Sequence, residues 1–237
     1  MKYLKIFIKF IIKNTFLKKY IVEISNFLLI PKNIFRYYGL IKIDYKLDKK
    51  INFGSKKANN FFLKKIKKSK KYFEYGAGNS TLAAKKYSNL YLSVESDDHF
   101  GKFCIEEYNL KILIKNFGPV TFYSWPILKF FRKKNLTTKV KNYTSAIKHF
   151  IKKNGCPDLI LIDGRCRVFC ALMVHNILMK YQKKKITVII DDFKFRKHYS
   201  EIRSFFYIKT VGRLGVINKI KRINTNNLIQ KYKYDFR

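Results

Sequence analysis

Acidic side chains are few: 15 Asp and Glu stand against 52 Lys and Arg in 237 residues, a formal net charge of +37. Cysteine is also sparse, with Cys104, Cys156, Cys166 and Cys170 and no Cys-x-x-Cys pair. The default reading is buried free thiols in a reducing compartment. Cys166 and Cys170 would share a helix face, but no second pair completes a zinc site. No uncharged apolar run approaches the ~20 residues of a membrane span. Lysines interrupt the apolar N-terminal stretch and no small-residue cleavage site follows it, which argues against a signal peptide. A Gly-x-x-x-x-Gly-Lys-Ser/Thr phosphate loop and a Gly-x-Ser-x-Gly nucleophile elbow are both absent, which removes two large enzyme classes.

What is present is enough for a core. Apolar residues make up 47% of the chain, and the length suits one α/β domain with a small appendage. The basic charge has two readings. Lys, Ile, Asn, Phe and Tyr abound while Ala and Gly are scarce, as an AT-rich coding sequence would produce. The other reading is nucleic-acid binding. It is weighed lower because 43 of the 52 basic residues are Lys, whereas phosphate readers favour the two-pronged Arg. Residues 1–30 pair apolar positions with Lys2, Lys5, Lys9 and Lys13 on one helical face. Such a helix either packs on the domain or lies on an anionic membrane surface, so the expected location is the cytoplasm, with a peripheral position on the inner membrane as the alternative. Pro31 is expected to end it. Residues 1–68 are read as a basic helical appendage, and 69–237 as the main domain.

From residue 70 strands and helices alternate. Strands are expected at 71–75, 90–94, 110–114, 158–162 and 186–190, with helices at 80–87, 97–108, 143–153, 168–182 and 196–206. A hairpin, 207–211 with 214–219, turns about Gly212-Arg213. The runs Leu159-Ile-Leu-Ile162 and Val188-Ile-Ile190 show no alternation, as in parallel strands covered on both faces. The expectation is a Rossmann-like, doubly wound, mostly parallel sheet with helices on both faces and a C-terminal antiparallel hairpin.

Seven of the 15 acids fall at or just after expected strand ends: Glu74, Glu95, Asp97, Asp98, Asp163, Asp191 and Asp192. Open α/β sheets bind ligands at that edge. Helix capping by acids is the competing explanation; it suits Asp97 or Asp98 and fits Glu74 poorly. Glu74-Tyr75-Gly76-Ala77-Gly78-Asn79-Ser80-Thr81 follows a strand and opens a helix, and its glycines permit a tight turn with close ligand approach. Thr81 occupies the third glycine position of a dinucleotide fingerprint, and a carboxylate at Glu74 suits a cationic ligand better than a pyrophosphate. Glu95 stands about 20 residues further on, at the end of the next strand, where an acid accepts hydrogen bonds from ribose hydroxyls.

The segments YFEYGAGNSTLAA, LSVESD, PDLILIDGRCRVFCAL and TVIIDDFKFRKHY together resemble class I S-adenosylmethionine-dependent methyltransferases, and more narrowly a bacterial group with an EYGxGxST loop and a DGRxR segment. The likeness spans roughly residues 70–220. It implies that Glu74, Gly76 and Gly78, within the loop that includes Tyr75, Asn79, Ser80 and Thr81, hold the methionine part of S-adenosylmethionine. It also implies that Glu95 holds the ribose, that Ser96 and Asp97 lie near the adenine, and that Asp163 borders the site. Asp163, Asp191 and Asp192 end neighbouring strands. They would form a Mg²⁺ site like that of metal-dependent O-methyltransferases, or else order the ligand and cap a helix. Arg165, Arg167 and Arg196, with Tyr199, are candidates for an acceptor's phosphate or carboxylate, or for pairing with the aspartates. Asp163, Asp192 and His198 are candidates for proton transfer; a solvated surface role is the alternative for His198. His175 is read as a core residue. No Asn-Pro-Pro-Tyr-like segment, expected for methylation of an exocyclic base nitrogen, occurs. The expected function is methyl transfer to an oxygen of a small or glycan-like acceptor. An RNA methyltransferase and a non-catalytic, membrane-peripheral protein of cell-envelope assembly are the rivals.

Overall fold

The computed structural model describes residues 30–38, 40–41, 43–119, 133–181, 186–233 and 235–236. The expected N-terminal amphipathic helix, nearly all of it, and Trp125 lie outside them. The chain divides into two compact units, Met1–Ile43 with Gly118–Phe131, and Asp44–Phe117 with Arg132–Arg237. In the first unit the described helix is α1, Ile30–Tyr37. Pro31 lies within α1, and the helix it was expected to end lies outside the described residues. No helix among the described residues is long and apolar enough to cross a membrane.

The second unit carries a seven-stranded sheet in the order β3-β2-β1-β4-β5-β7-β6. The strands are β1 Lys71–Tyr75, β2 Leu90–Glu95, β3 Ile112–Ile114, β4 Leu159–Ile162, β5 Thr187–Ile190, β6 Phe206–Val211 and β7 Leu214–Ile220. β1 to β5 run parallel, and β7 is antiparallel to both β5 and β6. The expected mostly parallel sheet with its closing hairpin is therefore present. β4 and β5 are buried at every residue, as strands covered on both faces must be.

Side-chain alternation along β1 assigns each face its helices. Tyr72 faces α2, Lys56–Ile66, with its ring 6.4 Å from that of Phe62. Phe73 and Tyr75 face the other way. Phe73 lies 5.6 Å from Phe150 of α6, Ala146–Asn154, and Tyr75 lies 5.5 Å from Tyr143 of α5, Lys133–Thr144. Ala58, Phe62 and Ile66 of α2 join one buried cluster with Tyr72, Leu161 and Ile189, so residues 44–68, read from sequence as part of the appendage, belong to the sheet-bearing unit. The remaining helices include α3 Asn79–Tyr87, α4 Asp98–Tyr108 and α7 Arg167–Lys180. His175 of α7 is fully buried, and all four free cysteines are buried.

β1 is flanked by β2 on one side and by β4 on the other. Chain order reverses there, and the crevice at the carboxyl ends of those strands is where open α/β sheets place ligands.

Candidate functional site at the β1–β4 switch point

Glu74 is fully buried beneath the glycine loop. Its register partner on β2 is Ser93. The Ser93 and Thr81 hydroxyls donate to one carboxylate oxygen at 2.8 Å each, and the Ser80 hydroxyl donates to the other. Burial pushes the Glu74 carboxyl up to about 7, against these three hydrogen bonds, which favour the charged form. Thr81 also accepts from the Gly78 N–H at 3.0 Å, which closes the first turn of α3 over the acid. Tyr75 points to the opposite face, where its hydroxyl donates to the Thr144 carbonyl at 2.5 Å; toward the site it presents only backbone.

The two glycines of the loop differ. Gly76 sits at φ +94°, and a Cβ there would lie 2.8 Å from the Gly164 Cα and nitrogen. The β1 and β4 loops thus meet backbone to backbone. Gly78 has an extended φ, and a Cβ there would meet nothing within 4 Å. Nothing in the described protein demands a glycine at 78.

Glu95 ends β2 and bridges two loops. One carboxylate oxygen accepts from the Ala77 N–H at 3.0 Å; the other accepts from the N–H groups of Ser96 at 2.6 Å and Asp97 at 2.9 Å. Burial raises its pKa and these backbone donors oppose the rise. Ser96 is buried beside it, and Asp97 caps α4 by accepting from the Phe100 N–H at 3.2 Å.

The strand-end aspartates are held by arginines. Asp191, 2% exposed, takes a two-pronged contact from Arg213, with Nε and Nη2 each 2.7 Å from a different oxygen. Asp163 pairs with Arg167 at 2.9 Å, and Asp192 pairs with Arg196 at 3.1 Å and with Arg167 at 3.6 Å. Arg167 also donates to the backbone carbonyls of Asp163, Gly164 and Asp191 at 2.7–3.1 Å, which ties the β4 and β5 ends together. Burial pushes the Asp163 carboxyl up against the pull of Arg167, and Asp191 and Glu74 add to the rise. The Mg²⁺ expectation finds no support in this donor set. A hard dication needs open carboxylate oxygens, whereas each of these aspartates is paired with a guanidinium. Among the described residues no group of three or more His, Cys, Asp or Glu could hold a metal ion.

A cavity of about 140 Å³ opens at the switch point, bounded by Glu74, Gly76, Ala77, Gly78, Asn79, Ser80 and Asp163 on one side and by Ile51, Asn52 and Phe53 on the other. The Asn79 amide oxygen is buried there with no hydrogen-bond partner. Thr81, Glu95, Ser96, Arg165, Arg167, Asp191, Asp192, Arg196, His198 and Tyr199 do not line this cavity. His198 lies edge-on to the Tyr199 ring, 4.3 Å between centroids, and Tyr199 is buried within 5.9 Å of the Arg167 guanidinium. Sequence reading missed Ile51–Phe53, Ser93 and Arg213. Signals existed: Asn52-x-Gly54-Ser55 is a turn that runs into a helix cap, Ser93 is a hydroxyl inside an apolar strand, and Arg213 is a rare arginine at a hairpin tip.

No protein-family model and no curated protein matches the chain. Among solved structures, a methyltransferase-like protein (spo2022) from Silicibacter pomeroyi shares the fold, with a TM-score of 0.62 and 20% identity over 79% of this chain and 100% of that one. The S-adenosylhomocysteine-bound methyltransferase PaMTH1 of Podospora anserina is a looser likeness, with a TM-score of 0.44 and 11% identity over 88% of this chain and 97% of that one. The chain thus has a Rossmann-like fold of the kind found in a methyltransferase-like protein.

Proposed function

We propose that the chain is an S-adenosylmethionine-dependent methyltransferase that acts on an oxygen of a small or glycan-like acceptor. The observation that carries this reading is the open space over Gly78, beside a buried amide oxygen and between two carboxylates, Glu74 and Asp163. A cavity lined by carboxylates and an amide, with no lysine or arginine, suits a ligand end that bears positive charge and repels phosphate. S-adenosylmethionine fits that donor set and would supply an activated methyl group. Glu74, Gly78 and Asn79 hold its amino-acid end, and Glu95 lies at the ribose position. Asp163 borders the cavity and is assigned to take the acceptor's proton as the new oxygen–carbon bond forms and the sulfur keeps the electron pair of the broken bond. Arg196, 48% exposed at its side chain, and Arg165 are the groups offered to an anionic acceptor.

The test is calorimetric titration of the native chain and of Glu95→Ala with S-adenosylhomocysteine. The native chain should bind, and the variant should bind at least about tenfold more weakly, because it loses both the ribose acceptor and the anchor of Ala77. A native chain that takes up a nucleotide sugar but no S-adenosylhomocysteine would overturn the reading.

A further inference from the structure

We propose that Arg213 is a positioning residue that builds the second wall of the cavity, and that this wall closes on the amino-acid end of the ligand. The inference rests on the cofactor reading above. Segment 51–54 has its own local bonds. The Gly54 N–H donates to the Asn52 side chain at 3.0 Å, and the Phe53 N–H donates to the Asn59 side chain at 2.6 Å. The second of these ties the segment to α2, and Phe53 packs into the core cluster with its ring 5.0 Å from that of Phe62.

Arg213 adds the link from this segment to the strand end across the sheet. It stands in the β6–β7 turn and grips Asp191 at the end of β5 through two 2.7 Å bonds. Its Nη2 also donates to the Asn52 carbonyl at 3.3 Å, and its guanidinium lies 6.0 Å from the Phe53 ring centroid. Gly54, at φ +74°, leaves room for the arginine stem, which lies 3.4 Å from where a Cβ would stand. Gly212, at φ +60°, brings the turn onto the start of α2, since a Cβ there would fall 2.7 Å from the Ser55 hydroxyl. The hairpin tip therefore ties one cavity wall to the strand end that faces it. Lysine cannot replace this arrangement, because a single ammonium cannot span both carboxylate oxygens and the Asn52 carbonyl.

The enclosed end of the ligand follows from size and charge. About 140 Å³ is below the ~300 Å³ at which pockets begin to enclose a whole small molecule. The polar lining consists of Glu74, Asp163, Asn79, Ser80 and Asn52. The ammonium of the tail matches this lining, and the tail's carboxylate and the adenosine moiety would lie outside the enclosed part.

The experiment titrates S-adenosylhomocysteine and 5′-methylthioadenosine, which lacks the amino-acid tail, into the native chain and into Arg213→Lys. The variant should bind S-adenosylhomocysteine about tenfold more weakly, as loss of a two-pronged contact implies, and should bind methylthioadenosine within about twofold of native. If Arg213→Lys does not fold, the double variant Asp191→Asn/Arg213→Gln leaves no unpaired buried charge and carries the same expectation. Unchanged affinity for S-adenosylhomocysteine in a folded variant, or equal weakening of both ligands, would overturn the inference and leave the cofactor reading standing. A native chain that binds neither ligand overturns both.

Discussion

Gly76 and Gly78 stand two residues apart and answer to different forces. At Gly76 the constraint comes from the protein: a positive φ and a neighbouring backbone at 2.8 Å. Gly76→Ala should lower unfolding free energy by roughly 1–3 kcal/mol, as urea melts would show. At Gly78 the space is open. Gly78→Ala should leave stability within about 1 kcal/mol of native and weaken S-adenosylhomocysteine binding at least about tenfold, since the added methyl occupies ligand space. Equal stability losses at the two positions would refute this division. Glu74 gives a pH prediction with a definite sign. Its carboxyl titrates near 7 in the folded chain against an ordinary 4.5, so the folded state binds the proton more tightly than the unfolded state. Its contribution to stability is therefore lost as pH rises from about 4.5 through 7, by up to about 3 kcal/mol. Glu74→Gln should make that part of the pH profile shallower, leaving the share of the likewise raised Asp163, read as urea-unfolding free energies at pH 5 and pH 8. A variant with the native pH slope would show that the buried acid is not the titrating group.

The β1–β4 junction shows which elements were legible in the sequence. The unbroken apolar runs announced β4 and β5, and alternating segments announced the parallel sheet, because burial on both faces leaves a mark in local composition. The α5 helix was hidden in a Lys-, Asn- and Thr-rich stretch, although Leu136, Val140 and Tyr143 bury along one face at three- and four-residue spacing. Helix α2 was read only as part of the basic helical appendage for the same reason, since only Ala58, Phe62 and Ile66 carry its buried stripe. The acids at the strand ends were legible as a group, and pairing with Arg167 and Arg196 was one of the two readings of those arginines; the partner of Asp191, Arg213, was not legible. Pairing across strands depends on distances that spacing along the chain does not encode, as with Arg213 and Asp191. The junction was equally invisible: a Cβ at Gly164 would stand 2.1 Å from the Tyr143 hydroxyl and 2.8 Å from the Gly76 nitrogen. Gly164→Ala should therefore destabilise the fold by at least about 2 kcal/mol, at the severe end of overpacking. Adding Tyr143→Phe should restore only part of this, because the backbone contact with Gly76 remains. Full rescue in thermal melts would mean that the hydroxyl alone sets the fit.

At the scale of the whole molecule, the charge of +37 acts on stability whatever it does for function. Self-repulsion opposes the compact state, and added salt shortens its range from ~30 Å at 10 mM to ~8 Å at 150 mM. The melting temperature should therefore rise across that interval of NaCl. The same field will attract any polyanion, so RNA binding alone does not identify an acceptor. The two origins of such binding separate on salt and on linkage. Binding to a charge coat falls steeply as salt rises, because it releases counterions. It is also indifferent to what fills the cavity, since a ligand changes a second affinity only through a coupling between the two sites. A methyl acceptor must reach the cavity that holds the cofactor, so its affinity responds to S-adenosylhomocysteine. Anisotropy titrations with a generic RNA oligomer, at 50 and 150 mM NaCl and with or without saturating S-adenosylhomocysteine, separate the two. We expect affinity to collapse with salt and to ignore the cofactor product, which places the lysines outside the reaction. RNA binding that persists at 150 mM and tightens with S-adenosylhomocysteine would move the acceptor to nucleic acid and end the small-acceptor proposal.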